Sequence, residues 1–256
     1  MKIILRFILT SLIAMSNAVV YADGILAEPA KSRWQPVIGI GGGVEITTNL
    51  GQSQTFPILN PATDEYYIYS PTNQSQTAGL FEIFLGAERQ VFTNWLFQGG
   101  LAYSQSGAYE AQGNFVQGVD AGSANQYTYQ YNVTARELLA QAKLMRPYRD
   151  KFYPYVLAGL GGSFNQASSY STNVPPFLTF TREYANNTSG SFAFRVGLGV
   201  DMDVTQHARL GVAYRFAGLG SANLGSAKLD TIPVSGALSQ SYLYANEVLF
   251  QLTYVI

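Results

Sequence analysis

Ser191-Phe192-Ala193-Phe194-Arg195-Val196-Gly197-Leu198-Gly199-Val200-Asp201-Met202-Asp203 is the stretch whose reading decides the fold. Phe192, Phe194, Val196, Leu198 and Val200 fall on one side of a period-two pattern; Ala193, Arg195, Gly197, Gly199 and Asp201 fall on the other. Period two is the signature of a strand with two different environments on its faces. The non-apolar face carries an arginine among glycines, which makes a poor core for a water-soluble sheet. The apolar face is therefore read as the one that meets lipid, and the other as the lining of a narrow interior.

The same alternation recurs in seven other stretches, at about 34–47, 78–89, 95–103 or beyond, 127–146, 153–164, 208–216 and 242–256. The gaps between the eight segments alternate in length. Residues 90–94, 147–152 and 204–207 are short, whereas 49–77, 105–126, 165–190 and 217–241 are long and rich in Ser, Asn, Gln, Gly and Pro. Eight strands joined by alternating tight turns and long loops predict an all-β, antiparallel, up-and-down transmembrane barrel, with four long extracellular loops and short periplasmic turns. A hairpin inside the first long loop would raise the strand count to ten. A soluble lipocalin-like barrel would need its apolar residues inside, where this chain places Glu, Arg, Lys and Gly. Trp34, Trp95, Tyr148, Phe152 and Tyr153 are expected at the periplasmic rim, and Tyr103, Tyr127, Tyr129, Tyr131, Tyr242 and Tyr244 at the outer rim, as two interfacial aromatic belts.

Composition agrees. Charged residues make up 12% of the chain, with 25 Gly, 18 Tyr, 15 Phe and no cysteine; a soluble domain carries about twice that charge. Lys2 and Arg6 precede an apolar run from Phe7 to Met15, and Val20-Tyr21-Ala22 offers a cleavage site, so residues 1–22 read as a secretory signal peptide cut before Asp23, with a cut after Ala18 as the alternative. Residues 23–33 read as a periplasmic lead-in and 34–256 as the barrel. Subtracting Lys2 and Arg6 from the 15 basic residues leaves 13 against 16 acidic ones, and no basic patch points to nucleic acid.

Three stretches carry a family likeness. Phe152-Tyr153-Pro154-Tyr155-Val156-Leu157-Ala158-Gly159-Leu160-Gly161, then Arg195 to Asp201, then the last strand with its apolar residue at every second position resemble the small outer-membrane barrel superfamily that includes the OmpA transmembrane domain and the OmpX/Ail adhesion group. The terminal residue departs from that pattern: Ile256 stands where an aromatic is usual, with Tyr254 the nearest. The resemblance implies a bacterial outer-membrane location, assembly by the barrel assembly machinery, a surround of outer-membrane lipids including lipopolysaccharide, and contact with an extracellular ligand through the loops.

Parity turns Glu45, Glu82, Glu88, Glu137, Lys143, Arg195, Arg209, Arg215 and Glu247 inward. Eight strands leave a lumen that side chains fill, so these charges are expected as a hydrogen-bonded ion-pair plug, with a narrow gated pore as the rival. Phe56, Tyr66, Tyr67, Tyr69, Phe177, Phe180 and Tyr184 are candidate loop contacts to a ligand, or else pack the loops together. A Ser-His-acid hydrolase would have to use His207, the single histidine, which parity sends to a periplasmic turn. Gly39-Ile40-Gly41-Gly42-Gly43-Val44 lacks the third glycine and the helix of a dinucleotide site, and Asp201-Met202-Asp203 lacks the glycine of a calcium loop; no cofactor or metal is expected. The function expected is non-enzymatic: an envelope-structural or ligand-binding barrel, with a pore for ions or small apolar compounds as the alternative and a lipid-modifying enzyme third.

Overall fold

The computed structural model describes residues 33–58, 66–73, 75–92, 94–118, 126–149, 151–174 and 181–256. The expected signal peptide, nearly all of the lead-in, and Phe177 and Phe180 lie outside the described residues. The strands in chain order are β1 (Gln35–Thr47), β2 (Gln54–Pro57), β3 (Tyr66–Pro71), β4 (Thr77–Phe92), β5 (Trp95–Gly118), β6 (Gln126–Met145), β7 (Phe152–Asn173), β8 (Arg182–Tyr184), β9 (Asn187–Asp203), β10 (Ala208–Asn223), β11 (Ala227–Leu229), β12 (Ile232–Val234) and β13 (Ser239–Val255). Eight of them form a closed antiparallel ring in the order β1, β4, β5, β6, β7, β9, β10, β13 and back to β1. Closure leaves no free edge in the wall, so every backbone group at membrane depth has a ladder partner.

The outer face of the ring is apolar and exposed: Ile38, Ile40, Phe81, Leu101, Leu138, Leu160, Leu198, Val212 and Phe250 all point away from the lumen. No helix among the described residues is long and apolar enough to cross a membrane. The short connections close tightly at one end. The Tyr148 and Phe152 backbones exchange hydrogen bonds at 2.7 and 3.1 Å, and the Val204 and Thr205 amides both donate to the Ala208 carbonyl.

At the other end the structure departs from the expected loops. Three of the four long connections are shorter than expected, because the wall strands run on well past the membrane. β5 continues to Gly118, β7 to Asn173 and β10 to Asn223. The first connection contains the β2–β3 hairpin, which pairs through β3 with the upper part of β5. It adds two strands above the ring and none to the wall, so eight strands cross. β8, β11 and β12 make a separate three-stranded sheet.

The apolar face changes sides along these extensions. Within the membrane β6 sends Leu138 outward and Glu137 inward; further up the same inward set becomes Tyr127, Tyr129, Tyr131, Val133 and Ala135, all buried. Tyr127, Tyr129 and Tyr131 therefore do not join the outer belt. They face an interior because the outside there is water, and only the inside offers apolar burial. Tyr103 and Tyr244 do stand exposed on the outer wall.

Candidate functional site

The interior is filled in tiers. At its centre Arg195, fully buried, donates from Nη1 to Glu82 at 2.7 Å, from Nη2 to Glu137 at 2.6 Å and to Ser104 Oγ at 3.0 Å, and from Nε to Glu247 at 3.3 Å. Arg215 joins the same acids, Nε to Glu247 at 2.6 Å and Nη1 to Glu82 at 2.7 Å. Planar guanidiniums with several fixed donors suit this bridging, which a lysine could not reproduce. Glu45 lies across the β1–β13 ladder from Glu247 and makes no ion pair with a described residue; its Oε1 accepts no hydrogen bond.

Below, Lys143 donates to Asp201 at 3.1 Å and stands over the Tyr155 ring at 4.2 Å. Asp201 also accepts from Gln251 Nε2 at 2.7 Å. Gly211 makes room for this pair, since a Cβ there would fall on the Asp201 carboxylate. Toward the short turns, Arg209 forks onto Glu88 at 2.7 and 3.1 Å and reaches Asp203 at 3.0 Å; Tyr153 donates to Asp203 at 2.6 Å. A gap of about 10 Å³ lies between the two upper tiers, lined by Gly39, Gly41, Gln98, Gln141 and Lys143 among others. That is on the order of a single water.

All nine inward charges expected from parity thus meet in the lumen. The structure adds Asp201 and Asp203 to that set: Asp201 shares the inward parity of Arg195, six residues further along β9, and pairs with Lys143, while Asp203 pairs with Arg209. His207 sits in the β9–β10 turn with Nδ1 3.1 Å from the Val255 carbonyl and its ring 6.0 Å from Tyr254, where it holds the end of β13. Among the described residues no group of three His, Cys, Asp or Glu side chains is arranged to hold a metal.

Above the lumen three of the described loop candidates, Tyr67, Tyr69 and Tyr184, belong to a buried core. Tyr67 and Tyr69 are fully buried and Tyr184 nearly so, while Tyr66 and Phe56 are half-buried. Tyr69 stacks on Phe115 at 5.3 Å and meets Tyr129 edge-on at 5.2 Å; Tyr170 meets Tyr184 at 4.8 Å. Arg182 is the clasp over this core. Its Nη2 donates to Pro57 O at 2.6 Å and Nη1 to Ser235 O at 2.9 Å, with the guanidinium 4.8 Å from the Phe56 ring. It ties the β2–β3 hairpin to the segment following β12. No local sequence signal marks this role, because every partner is more than 50 residues away.

Side-chain amides join the hairpin to the top of β13. Gln54 donates to Ser239 O at 2.8 Å and accepts from Ser239 N at 3.0 Å; Asn49 donates to Tyr242 O at 2.6 Å and accepts from Tyr244 N at 2.9 Å. Each amide substitutes for a missing ladder peptide.

Burial pushes the Tyr67 and Tyr129 phenols up to about 12. An unfolded tyrosine ionises at about 10. Between these values the unfolded chain has lost protons that the folded one keeps, so stability falls as pH rises from about 10 toward 12. Limited proteolysis across that range is expected to show the extracellular part opening while the wall stays closed; cleavage independent of pH would contradict it.

No curated protein matches the chain. Among solved structures, the outer membrane protease OmpT from Escherichia coli is 11% identical, with 91% of this chain and 99% of that one covered at a TM-score of 0.47. Neisserial surface protein A is 14% identical, with 87% and 97% covered and a TM-score of 0.41. Ail, the attachment invasion locus protein of Yersinia pestis, is 9% identical, with 88% and 99% covered and a TM-score of 0.38. The sequence profile of the family described as outer membrane protein beta-barrel domain matches residues 24–235, and the chain belongs to that family of the bacterial outer membrane.

Proposed function

We propose that the protein is a non-conducting barrel that anchors a rigid extracellular binding platform in the outer membrane, and is neither a pore nor an enzyme. The observation that carries this reading is the tiered lumen. Arg195, Arg215, Lys143 and Arg209 bridge acids from opposite walls, and the gap between the two upper tiers is about one water in size. An ion crossing would have to displace several charge-assisted hydrogen bonds at once. Directly above, the strand extensions close over tyrosine rings, so the ordered surface is the outside of that extension.

The barrel reconstituted in planar bilayers is expected to give no stable conductance steps. Large, long-lived channels would overturn the reading in favour of a pore for ions or small apolar compounds.

A further inference from the structure

The outer face of the extracellular extension differs from both the lipid belt below and the core within. Gln112, Gln130 and Ser171 lie in one register row across β5, β6 and β7; Asn114, Thr128 and Asn173 lie in the next. All six are solvent-facing, on strands spaced about 4.8 Å apart. Between the rows runs the backbone row of Gly113, Tyr129 and Thr172, and the whole forms a concave groove of about 330 Å³. Side chains of Gln112, Asn114, Gln130 and Asn173 donate to no described residue.

Charge is missing from this groove. Ordinary solvated surface is about one-quarter to one-third Lys, Arg, Glu and Asp, yet none of the groove-lining residues is charged. Arg136, the nearest base on this face of β6, pairs with Gln105 in register, seven residues below Gln112 on β5, and donates to Gln166. Phosphate or sulfate recognition needs Arg or Lys, so an anionic glycan or lipid headgroup is a poor fit. Protein hot spots are built on Trp, Tyr and Arg, and no such side chain faces outward here. Amides and hydroxyls in registered rows match a neutral polyhydroxyl chain, which accepts and donates at every ring.

Position selects the source. Nine residues separate Gln112 from the exposed Tyr103 of the outer wall; at about 3.3 Å per residue and a tilt of about 40° the groove lies roughly 20 Å above the bilayer interface. It faces sideways, along the membrane. A glycan rising from the leaflet beside the barrel would run across it, whereas one arriving from outside would meet the top of the extension first.

We infer that the β5–β7 groove binds the uncharged outer sugars of neighbouring lipopolysaccharide, an assignment that rests on the platform reading above. The test uses the full barrel in lipopolysaccharide-free micelles, titrated with the lipid-free oligosaccharide that mild acid releases from lipopolysaccharide. NMR shifts are expected at the side-chain amides of Gln112, Asn114, Gln130 and Asn173. The triple variant Gln112→Ala, Gln130→Ala, Asn173→Ala should bind at least tenfold more weakly, with an unchanged heat-modifiable gel shift because all three are exposed.

Absent shifts at these amides, or wild-type affinity in the triple variant, would overturn the site. Equal binding of maltoheptaose would overturn the source, and tighter binding of heparin there would overturn the neutral chemistry. Conducting channels would defeat the platform reading without altering the amide shifts, so the two failures are distinguishable.

Discussion

Arg195→Leu is expected to be the most damaging single substitution in the membrane-embedded part. It deletes the Arg195 donors to Glu82, Glu137, Glu247 and Ser104, leaving Glu137 with Ser104 alone and Glu82 and Glu247 with Arg215 alone, in a space with room for about one water. Removing one partner of a buried pair costs about 3–5 kcal/mol, and here one cation serves three acids. Urea unfolding in lipid vesicles, followed by the heat-modifiable gel shift, should show a large drop in midpoint. Arg195→Lys should recover little of it, since a single ammonium cannot span three carboxylates.

Glu45→Gln is the matched contrast. Glu45 is equally buried but makes no ion pair with a described residue, and it faces Glu247 across the ladder. An amide there keeps the shape and offers Glu247 a donor. Its midpoint is expected within about 1 kcal/mol of wild type, or above it. A loss in Glu45→Gln as large as that in Arg195→Leu would overturn the contrast, since the amide keeps the volume and the Glu45 carboxyl would then matter as much as the Arg195 ion pairs.

The membrane part of the fold was legible because one rule acts along its whole length. Lipid outside and a narrow polar interior enforce period two, and the position of a single residue such as Arg195 fixes the parity of its strand. That rule stops at the membrane surface. On β6 the parity of inward residues is constant from Lys143 to Tyr127, but the apolar set passes from the outward to the inward residues. On β5 a register shift between Gln105 and Ala108 changes the parity itself, so that Ser104 and Ser106 below and Tyr109, Ala111 and Phe115 above all face inward. A reading that follows one apolar face sees the pattern end near Tyr103 and assigns a loop. The partners that order the extension are also remote in sequence: Gln54 with Ser239, Arg182 with Pro57. Their amide and guanidinium chemistry is visible in the chain, but their pairing is not.

The extension should therefore fail separately from the wall, and Tyr69→Ala is expected to make it do so. Tyr69 is fully buried and its ring lies within 6.4 Å of the rings of Phe56, Tyr67, Phe115, Tyr129 and Tyr184. Truncating a buried aromatic costs about 3–5 kcal/mol, comparable to what holds a small domain together. The lost contacts all lie above the tiers of Arg195, Lys143 and Arg209, which the substitution leaves intact. Limited proteolysis of the protein in nanodiscs is expected to become rapid in the extracellular segments, while the urea midpoint of the wall stays at the wild-type value. Tyr66→Ala, on the half-buried neighbouring residue whose side chain points the other way, should leave both unchanged. A Tyr69→Ala protein whose wall midpoint fell together with its protease resistance would show one cooperative unit from turn to tip, and the platform would then be an extension of the lumen's own stability instead of a separately ordered surface.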